Sequence, residues 1–341
     1  MSFRFGINGL GRIGRAMVRL LEDEPSLTLA AINDLASPEI LAPLITRDSI
    51  YGPGPRARAD GPSRLLVNGR PVDASRCADP GEIPWGDSGV QAVIEATGLF
   101  AAREAARKHL RSGVRHVLVT AASPDADYTL FAGLNDAGLD TARHRVISTA
   151  SCTAQALAPT LRVLQDVCGI TEAAMTTVHS YTNHQPTLDG PMPDPRRARA
   201  AALSMIPTST TSIPPLLTLF PALEDRLSGL SIRVPTPAVS LIDLTVRPER
   251  SIGTAALHDA FRAASTGPLG RILGTTDEEL VSTDFRGEAR STVIDLPMTR
   301  VLPGGSLRIL SWYDNEWGYA NRVLDAIRRV AAGPARAPEG S

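Results

Sequence analysis

A glycine-rich motif near the amino terminus constrains the fold of this chain more than any other feature. Residues 9–14, Gly-Leu-Gly-Arg-Ile-Gly, have the spacing G-x-G-x-x-G, and Asp34 lies about 20 residues after the last of these glycines. Residues 3–7 form an apolar strand pattern, and residues 11–22 place their apolar side chains at helical spacing. A strand, a glycine-rich turn and a helix, followed at this distance by an acid, are typical of a dinucleotide-binding unit.

Each part of this motif has a physical role. Gly9 and Gly11 permit a tight turn and a close approach of the backbone to a pyrophosphate, and Gly14 lets the helix pack on the strand. The amino end of the helix offers amide groups and partial positive charge to the phosphates. Asp34 would accept hydrogen bonds from ribose hydroxyls, and its charge would repel a 2′-phosphate. The pattern therefore favours NAD over NADP as the cofactor.

Strands and helices alternate along the first half of the chain and give way to longer strands in the second half. We predict an α/β fold, in which a Rossmann-type doubly wound parallel sheet is joined to an α+β domain with a mixed or antiparallel sheet. The predicted domains are residues 1–151, residues 152–316, and residues 317–341 as a C-terminal helix that returns to the first domain and ends in a frayed tail. The predicted strands are residues 3–7, 27–33, 90–95, 116–120, 146–148, 173–179, 230–234, 240–247 and 307–313, and the predicted helices include residues 101–112, 252–265 and 317–330.

Composition excludes several classes of function. The net charge of the 341 residues is −1, so the chain lacks the positive field that attracts nucleic acid or an anionic membrane. No apolar run approaches the roughly 18–20 residues of a membrane span, and the amino terminus lacks the pattern of a secretory signal. Three cysteines are too few for a disulfide framework. We therefore expect a cytoplasmic protein without a metal site, in which a functional cysteine acts as a thiolate.

Several long motifs resemble those of the phosphorylating glyceraldehyde-3-phosphate dehydrogenases of type I. They follow the order of that family along nearly the whole chain. They are residues 6–15 (GINGLGRIGR), 151–153 (SCT), 176–183 (TTVHSYTN), 196–201 (RRARAA), 206–210 (IPTST), 233–237 (RVPTP) and 312–319 (WYDNEWGY). The resemblance implies a glycolytic, NAD-dependent oxidation of glyceraldehyde 3-phosphate to 1,3-bisphosphoglycerate. It also implies a homotetramer in which residues 181–204 reach the cofactor of a neighbouring subunit.

The same resemblance identifies Cys152 and His179 as nucleophile and base. Cys152 lies where a strand passes into a helix, and a helix amino terminus stabilises a thiolate. His179 ends a predicted strand and is a candidate to manage the proton. The residues alone make this pair only a candidate, whereas the resemblance implies a thioester on Cys152. We expect Cys77 and Cys168 to be inert packing residues.

The resemblance also assigns further residues to the cofactor and to two anion pockets. Asn315 is expected to bind the nicotinamide amide, and Tyr319 to support the ring. The other expected cofactor-binding residues are Arg12, Ile13, Thr97, Gly98 and Thr120. One pocket, for inorganic phosphate, is expected to comprise Ser151, Thr153, Thr210 and Thr211, and the other, for the substrate phosphate, Thr182 and Arg233.

Some residues depart from the family pattern and leave alternatives open. Ala154 and Gln155 stand where Thr and Asn are usual, His184 where Asp is usual, and Thr211 where Gly is usual. Gly190 removes bulk near the adenosine ribose and slightly weakens the preference for NAD. The alternatives are a paralogue for another phosphorylated aldehyde such as erythrose 4-phosphate, a specialised or inhibitor-resistant variant, and a non-catalytic NAD-binding interaction protein.

Overall fold

The computed structural model describes residues 2–333, which fall into two compact units. The first comprises the residues up to 150 and those from 320 onwards, and the second is Ser151–Tyr319. The domain boundaries that we predict at residues 151 and 316 remain a prediction. Of the tail that we predict to be frayed, residues 334–341 lie outside the described residues.

The first unit has a mostly parallel nine-stranded sheet. The helix Trp317–Ala331 begins in the second unit and continues in the first from Ala320. In chain order, the elements of the first unit are β1 Phe3–Asn8, α1 Arg12–Leu20, β2 Leu27–Asn33, α2 Pro38–Thr46, β3 Arg47–Asp48, β4 Gly52–Pro53, β5 Ala57–Ala59, β6 Arg64–Val67, β7 Arg70–Ser75, β8 Ala92–Glu95, α3 Arg103–Arg107, β9 His116–Val119, β10 Tyr128–Thr129 and β11 Val146–Ser148.

The order of the strands creates the crevice in which dinucleotides bind. The order is β10-β11-β9-β8-β1-β2-β7-β6-β5, with parallel pairing from β10 to β7 and antiparallel pairing at β6 and β5. Strand β1 has β2 on one side and β8 on the other, so the order of the strands reverses beside it. Ligands of such sheets bind outside the carboxyl ends of the strands at this point. The predicted parallel sheet is therefore confirmed.

Apolar side chains explain why the central strands are buried on both faces. Phe5 and Ile7 of β1 are fully buried, and all four residues of β8 are buried. The predicted helix at residues 101–112 is shorter in the structure, where α3 ends at Arg107. The following residues continue as tight turns, and His109 is held by the Trp85 indole, 3.0 Å from its Nδ1. A tertiary contact thus overrides the helical propensity of this segment.

The second unit has a mixed seven-stranded sheet, as predicted. Its order is β13-β14-β12-β15-β18-β17-β16, with parallel pairing only between β12 and β14 and between β16 and β17. The elements are α4 Cys152–Val167, β12 Glu172–Ser180, β13 Ile206–Thr208, α5 Ile213–Leu217, β14 Leu227–Val234, β15 Ser240–Arg247, α6 Thr254–Thr266, β16 Leu273–Thr276, β17 Thr292–Val301, β18 Leu307–Tyr313 and the start of α7 Trp317–Ala331, whose remainder belongs to the first unit. Helix α4 is buried from Thr153 to Leu161, where small and apolar residues predominate, and it packs against β17, α5 and α6.

The sequence analysis did not predict several elements. Strand β17 contains Asp295 and Pro297, and its register shifts between Asp295 and Arg300, which obscures the strand pattern. Helix α2 begins with a proline in its first turn. Within residues 2–333, no helix combines the length and the apolarity required to cross a membrane.

Candidate active site

Cys152 is the first residue of α4. Ser151 caps the helix, because its backbone is extended and its Oγ accepts a hydrogen bond from the Ala154 amide at 3.1 Å. Cys152 as a residue is half-buried, whereas the three residues after it are buried. The cap therefore holds the sulfur at the helix end where backbone amides favour negative charge.

His179 lies next to this sulfur because of the way three elements meet. The distance from Cys152 Sγ to His179 Nε2 is 3.5 Å. His179 is the second-last residue of β12 and pairs with Arg233 of the parallel strand β14. The pairing of these strands brings the predicted nucleophile, the predicted base and a predicted substrate-binding arginine together.

The other ring nitrogen of His179, Nδ1, has two neighbours that require opposite protonation states of this nitrogen. Nδ1 lies 2.7 Å from the Ser180 carbonyl oxygen and 2.7 Å from Nη1 of Arg233. A carbonyl oxygen only accepts, which requires a proton on Nδ1, whereas a guanidinium only donates, which requires a lone pair there. Arg233 Nη1 can donate to the Ser180 carbonyl instead, at 3.1 Å. The position of Arg233 therefore decides which nitrogen of His179 carries the proton.

Burial sets the charges in this group. Burial lowers the pKa of His179 to about 3, and the charge of Arg233 adds to the effect, so the imidazole is neutral near pH 7. Burial raises the pKa of the Cys152 thiol, while Arg233 acts in the opposite direction. The helix-stabilised thiolate expected from the sequence is thus opposed by desolvation. Arg233 is the charge that favours the thiolate.

Tyr313 supports the residue after the cysteine, and the sequence analysis did not single it out. Its Oη lies 2.8 Å from Oγ1 of Thr153 and 2.8 Å from Oγ1 of Thr177. Its ring also meets the ring of His179 edge-on, with centroids 6.0 Å apart. The hydroxyl of Thr153, which we predict to bind phosphate, is thus already engaged in a buried hydrogen bond.

Ser212 connects two of the predicted phosphate-binding residues. Its Oγ lies 2.8 Å from Ser151 Oγ and accepts a hydrogen bond from Thr210 Oγ1 at 3.0 Å. The Ser212 amide donates to Thr210 Oγ1 at 3.2 Å. Thr211, between them, is exposed. The structure thus brings Ser151 and Thr210 together through a buried serine to which the sequence analysis assigned no role.

Two further predicted residues follow the ends of strands in this unit. Asn315 is 6% exposed, and its Oδ1 accepts hydrogen bonds from Ser180 Oγ at 2.9 Å and from Ser240 Oγ at 3.2 Å. These contacts fix the amide plane and turn the amide nitrogen away from the two serines. Thr182 is half-buried, two residues after β12, and its amide donates to Gln185 Oε1 at 3.4 Å. Tyr319 is buried in the first turn of α7.

The glycine-rich turn of the first unit has the shape of a phosphate cradle. Gly9 has φ +93, and a Cβ on Gly14 would lie 2.1 Å from the Gly9 carbonyl oxygen, so both positions require glycine. A Cβ on Gly11 would meet open space, and no side chain caps α1 at this residue. The carboxylate of Asp34 accepts the Leu10 amide at 2.8 Å and thereby holds the turn. These residues fit a dinucleotide at this place.

A buried carboxylate orders the neighbouring loop. Glu95 is 2% exposed, and its Oε1 accepts hydrogen bonds from the Thr97 amide at 2.9 Å and from the Thr97 hydroxyl. Its Oε2 lies 3.0 Å from His109 Nε2 and accepts from Asn8 Nδ2 at 2.6 Å. The Thr120 hydroxyl donates to the Glu95 carbonyl at 3.1 Å. Thr97, which we predict to bind the cofactor, is therefore positioned by an acidic side chain that the sequence analysis missed, and Thr120 by the backbone carbonyl of the same residue.

Arginines complete the surroundings of the turn. Arg12 forms an ion pair with Asp48, and the pKa of that carboxyl falls to about 2 because hydrogen bonds and this charge outweigh its burial. Arg76 donates from Nε to the Leu35 carbonyl at 3.0 Å. The guanidinium of Arg76 thus lies beside Leu35, the residue after Asp34, although no arginine follows Asp34 directly in the sequence.

Comparisons with known proteins agree with this arrangement. The family model described as glyceraldehyde 3-phosphate dehydrogenase, NAD binding domain, matches residues 3–103, and the model of the C-terminal domain matches residues 151–315. The chain belongs to the glyceraldehyde-3-phosphate dehydrogenase family. The glyceraldehyde-3-phosphate dehydrogenase of Priestia megaterium is 43% identical over 97% of this chain and 99% of its own length. Those of Kitasatospora aureofaciens and Cereibacter sphaeroides are 43% and 44% identical, over 96% and 95% of this chain and 99% and 97% of their own lengths.

Family membership confirms the resemblance and NAD as the cofactor. The departures from the family pattern occupy two kinds of position. Ala154 and Gln155 are buried in the first turn of α4, directly after the nucleophile. His184 and Thr211 are exposed. A Cβ on Gly190 would make only ordinary contacts at 3.7 Å or more, so the backbone leaves room for an alanine there.

Proposed function

We propose that this chain is a phosphorylating dehydrogenase that oxidises glyceraldehyde 3-phosphate to 1,3-bisphosphoglycerate. The observation that carries the proposal is the 3.5 Å approach of His179 Nε2 to Cys152 Sγ, with Arg233 in contact with the same imidazole. A thiol, a neutral base and a cation within one site suit a phosphorylated aldehyde that must be bound, attacked and deprotonated.

The first half of the reaction forms a thioester on Cys152. Arg233 binds the phosphate of the substrate, with Thr182 as a second donor. The thiol of Cys152 adds across the aldehyde carbonyl. The sulfur bonds to the carbon, the S–H bond breaks, and the thiol proton passes to the carbonyl oxygen, which becomes a hydroxyl. His179 Nε2 then accepts the hydroxyl proton as the carbon is oxidised, a role that typically contributes roughly 10²–10⁴-fold to rate. NAD, when bound, supplies the hydride acceptor.

The second half releases the product. Inorganic phosphate, held by Ser151 and Thr210 with Ser212 between them, attacks the thioester carbon. The carbon–sulfur bond breaks, the thiolate of Cys152 leaves, and an acyl phosphate forms. The role of Ser212 is to orient the two hydroxyls, since it contacts both.

The cofactor is held mainly by the first unit. The amides of the turn at Gly9 and Gly11 bind the pyrophosphate, and Asp34 binds the adenosine ribose. Thr97, held by Glu95, contributes to the same site. Asn315 would bind the nicotinamide amide through its amide nitrogen, which the two serines leave free to donate.

A substrate panel tests this proposal. Glyceraldehyde 3-phosphate and erythrose 4-phosphate are assayed with NAD and with NADP, in the presence and absence of phosphate. We expect phosphate-dependent NADH formation, fastest with the three-carbon aldehyde. Cys152→Ser abolishes it, and Cys77→Ser, which replaces another half-buried cysteine, leaves it unchanged. A preference for erythrose 4-phosphate, phosphate-independent turnover, or an active Cys152→Ser variant would each overturn the assignment.

We also propose that the protein is a cytoplasmic homotetramer. The segment 181–205 is held together by backbone hydrogen bonds such as that from the Gly190 amide to the Ala198 carbonyl. Three of its apolar residues are nevertheless exposed, Leu188 by 73%, Leu203 by 80% and Met205 by 76%. Exposed apolar side chains on an ordered loop suit a subunit interface. All three cysteines are free thiols, which suits a reducing compartment.

Light scattering and cell fractionation test these two points. We expect a mass of four chains for the wild type and a smaller assembly for Leu203→Asp. Ile40→Asp, which changes a 57% exposed residue of α2, is the control and should remain tetrameric. A monomeric wild type or an oxidised, secreted protein would contradict the proposal.

A further inference from the structure

Arg233 is a half-buried cation without an acidic partner. Within residues 2–333, no carboxylate forms an ion pair with it. Its Nη1 atom instead lies 2.7 Å from Nδ1 of His179 and 3.1 Å from the Ser180 carbonyl oxygen. A neutral ring nitrogen and a carbonyl oxygen are weaker partners for a guanidinium than an anion is. Arg233 can therefore exchange both of them for the phosphate of a ligand.

The imidazole of His179 has a single proton for its two nitrogens. Burial and the charge of Arg233 lower its pKa to about 3, so near pH 7 the ring is neutral and only one nitrogen is protonated. While Arg233 donates to Nδ1, that nitrogen presents its lone pair and the proton is on Nε2. Nε2 lies 3.5 Å from Cys152 Sγ and then donates towards the sulfur. In this arrangement Nε2 holds a proton and is unable to act as a base.

Movement of Arg233 away from Nδ1 reverses the roles of the two nitrogens. The Ser180 carbonyl oxygen, the other neighbour of Nδ1, lies at 2.7 Å and only accepts, so it requires a proton on Nδ1. One proton leaves Nε2 and one arrives at Nδ1, so the charge of the imidazole does not change. Nε2 then presents its lone pair and can accept the hydroxyl proton of a bound substrate. His179 thus has an inactive and an active tautomer, and Arg233 selects between them.

We propose that the phosphate of the substrate switches His179 from the inactive to the active tautomer by drawing Arg233 away from Nδ1. This inference rests on the proposed function, and it makes Arg233 a positioning residue for the base as well as a binding residue. A phosphate accepts two parallel bonds from a guanidinium, which a single ring nitrogen cannot match. An aldehyde without a phosphate leaves Arg233 on Nδ1, so it is oxidised slowly even when it saturates the site. Selectivity for phosphorylated aldehydes is therefore exerted on the chemical step and not only on binding.

Nitrogen NMR of the protein labelled at histidine reads the tautomer of His179 directly. A neutral imidazole gives one pyrrole-type and one pyridine-type resonance, and His179→Asn assigns the pair. In the ligand-free protein we expect the pyridine-type resonance at Nδ1. Glycerol 3-phosphate, which has a phosphate but no aldehyde, should move it to Nε2, and glycerol, which has neither, should leave it at Nδ1. An unchanged assignment at saturating glycerol 3-phosphate, or no binding of it at all, would overturn the inference.

The first turnover measures the consequence for the chemical step. Without inorganic phosphate, the burst of NADH reports formation of the thioester from glyceraldehyde 3-phosphate or from glyceraldehyde, each extrapolated to saturation. We expect the burst rate of the wild type to be roughly 10²-fold higher with the phosphorylated aldehyde, the lower end of the contribution of a general base. In Arg233→Leu this ratio should fall towards unity, because both aldehydes then meet the same tautomer. The charge lost beside Cys152 affects both aldehydes alike, so the ratio isolates the base.

Arg226→Leu is the matched control for this ratio. Arg226 is exposed and directly precedes β14, whereas Arg233 lies near the other end of that strand, so the control should keep the wild-type ratio. Equal saturated burst rates of the two aldehydes in the wild type would overturn the inference, since the phosphate would then contribute to binding alone. A ratio that Arg233→Leu retains would do the same. Absence of oxidation of both aldehydes, with the tautomer change present, would refute the proposed function and leave the switch standing.

Discussion

Tyr313→Phe removes the hydroxyl that joins two buried threonines next to the proposed nucleophile. Tyr313 is 1% exposed, and its Oη lies 2.8 Å from Oγ1 of both Thr153 and Thr177. The two threonines are 3% and 1% exposed, so solvent does not replace the lost partner. Burial raises the pKa of Tyr313, and the charge of Cys152 adds to this effect, so the hydroxyl stays protonated and able to donate.

The size of the effect follows from these contacts. Each hydrogen bond contributes roughly 0.5–1.5 kcal/mol net, and a buried hydroxyl left without a partner costs about 1–3 kcal/mol. Because each threonine hydroxyl can rotate towards another acceptor, we expect Tyr313→Phe to lower the free energy of unfolding by roughly 2 kcal/mol. For a unit of about 150–250 residues, this corresponds to a decrease in Tm of roughly 4–8 °C.

Urea unfolding, followed by fluorescence and circular dichroism, measures this loss. Tyr128→Phe is the matched control, because it removes a hydroxyl that donates to the Asn135 carbonyl at 2.7 Å in a half-buried position. We expect it to cost less than Tyr313→Phe. Combining Tyr313→Phe with Thr177→Val should give a coupling energy of about 1 kcal/mol, since the two groups share one bond.

Two results would refute this argument. A loss below about 0.5 kcal/mol, the range of ordinary surface substitutions, would show that the hydroxyl stabilises nothing. Additive losses in Tyr313→Phe and Thr177→Val would show that the bond between them contributes no energy.

Three other perturbations follow from the structure. Lowering the pH from about 6.5 towards about 3 should reduce the free energy of unfolding. Burial and Arg233 lower the pKa of His179 to about 3, so the unfolded chain binds more protons than the folded chain in this window. In urea titrations, His179→Asn should make this pH dependence shallower. Asp34→Asn should raise the ratio of kcat/KM for NADP to that for NAD on the order of tenfold, because it removes repulsion of at least about 1 kcal/mol. His109→Leu should lower the free energy of unfolding by roughly 3 kcal/mol in urea, because it removes the partner 3.0 Å from the buried Glu95 carboxylate.

Each of these has a control or a contrary result. An unaltered slope in His179→Asn would contradict the role of its pKa. An unchanged cofactor ratio in Asp34→Asn would show that the carboxylate does not face the 2′ position. A fully stable His109→Leu variant would show that the contact between His109 and Glu95 contributes no stability.

Local sequence patterns predict most of the fold. The alternation of strands and helices and the spacing of Gly9, Gly11 and Gly14 are local properties, and the parallel sheet is confirmed. The failures occur where the pattern is broken by tertiary contacts. The helix at residues 101–112 is cut to five residues because His109 turns towards Trp85, and β17 was missed because Asp295 and Pro297 interrupt it.

The residues of the candidate site likewise fall into those that sequence motifs predict and those that only the structure reveals. The identities of Cys152, His179 and Arg233 came from motifs, and the structure brings all three into one group. Tyr313 and Glu95 left no such signal. Their importance lies in what they touch, and neither the spacing nor the residue type reveals a contact made across the fold.

By itself, the sequence determined which chemistry the chain carries: a glycine-rich turn for a dinucleotide, a cysteine that opens a helix, and a histidine at a strand end. These follow from residue type and short-range spacing. Only the tertiary structure decided how that chemistry is tuned. Thr153 meets Tyr313 across 160 residues of chain, and Arg233 approaches His179 because β12 and β14 pair in parallel. Hydrogen bonding and desolvation depend on such long-range neighbours, and these neighbours set the protonation of His179 and the pKa of Cys152.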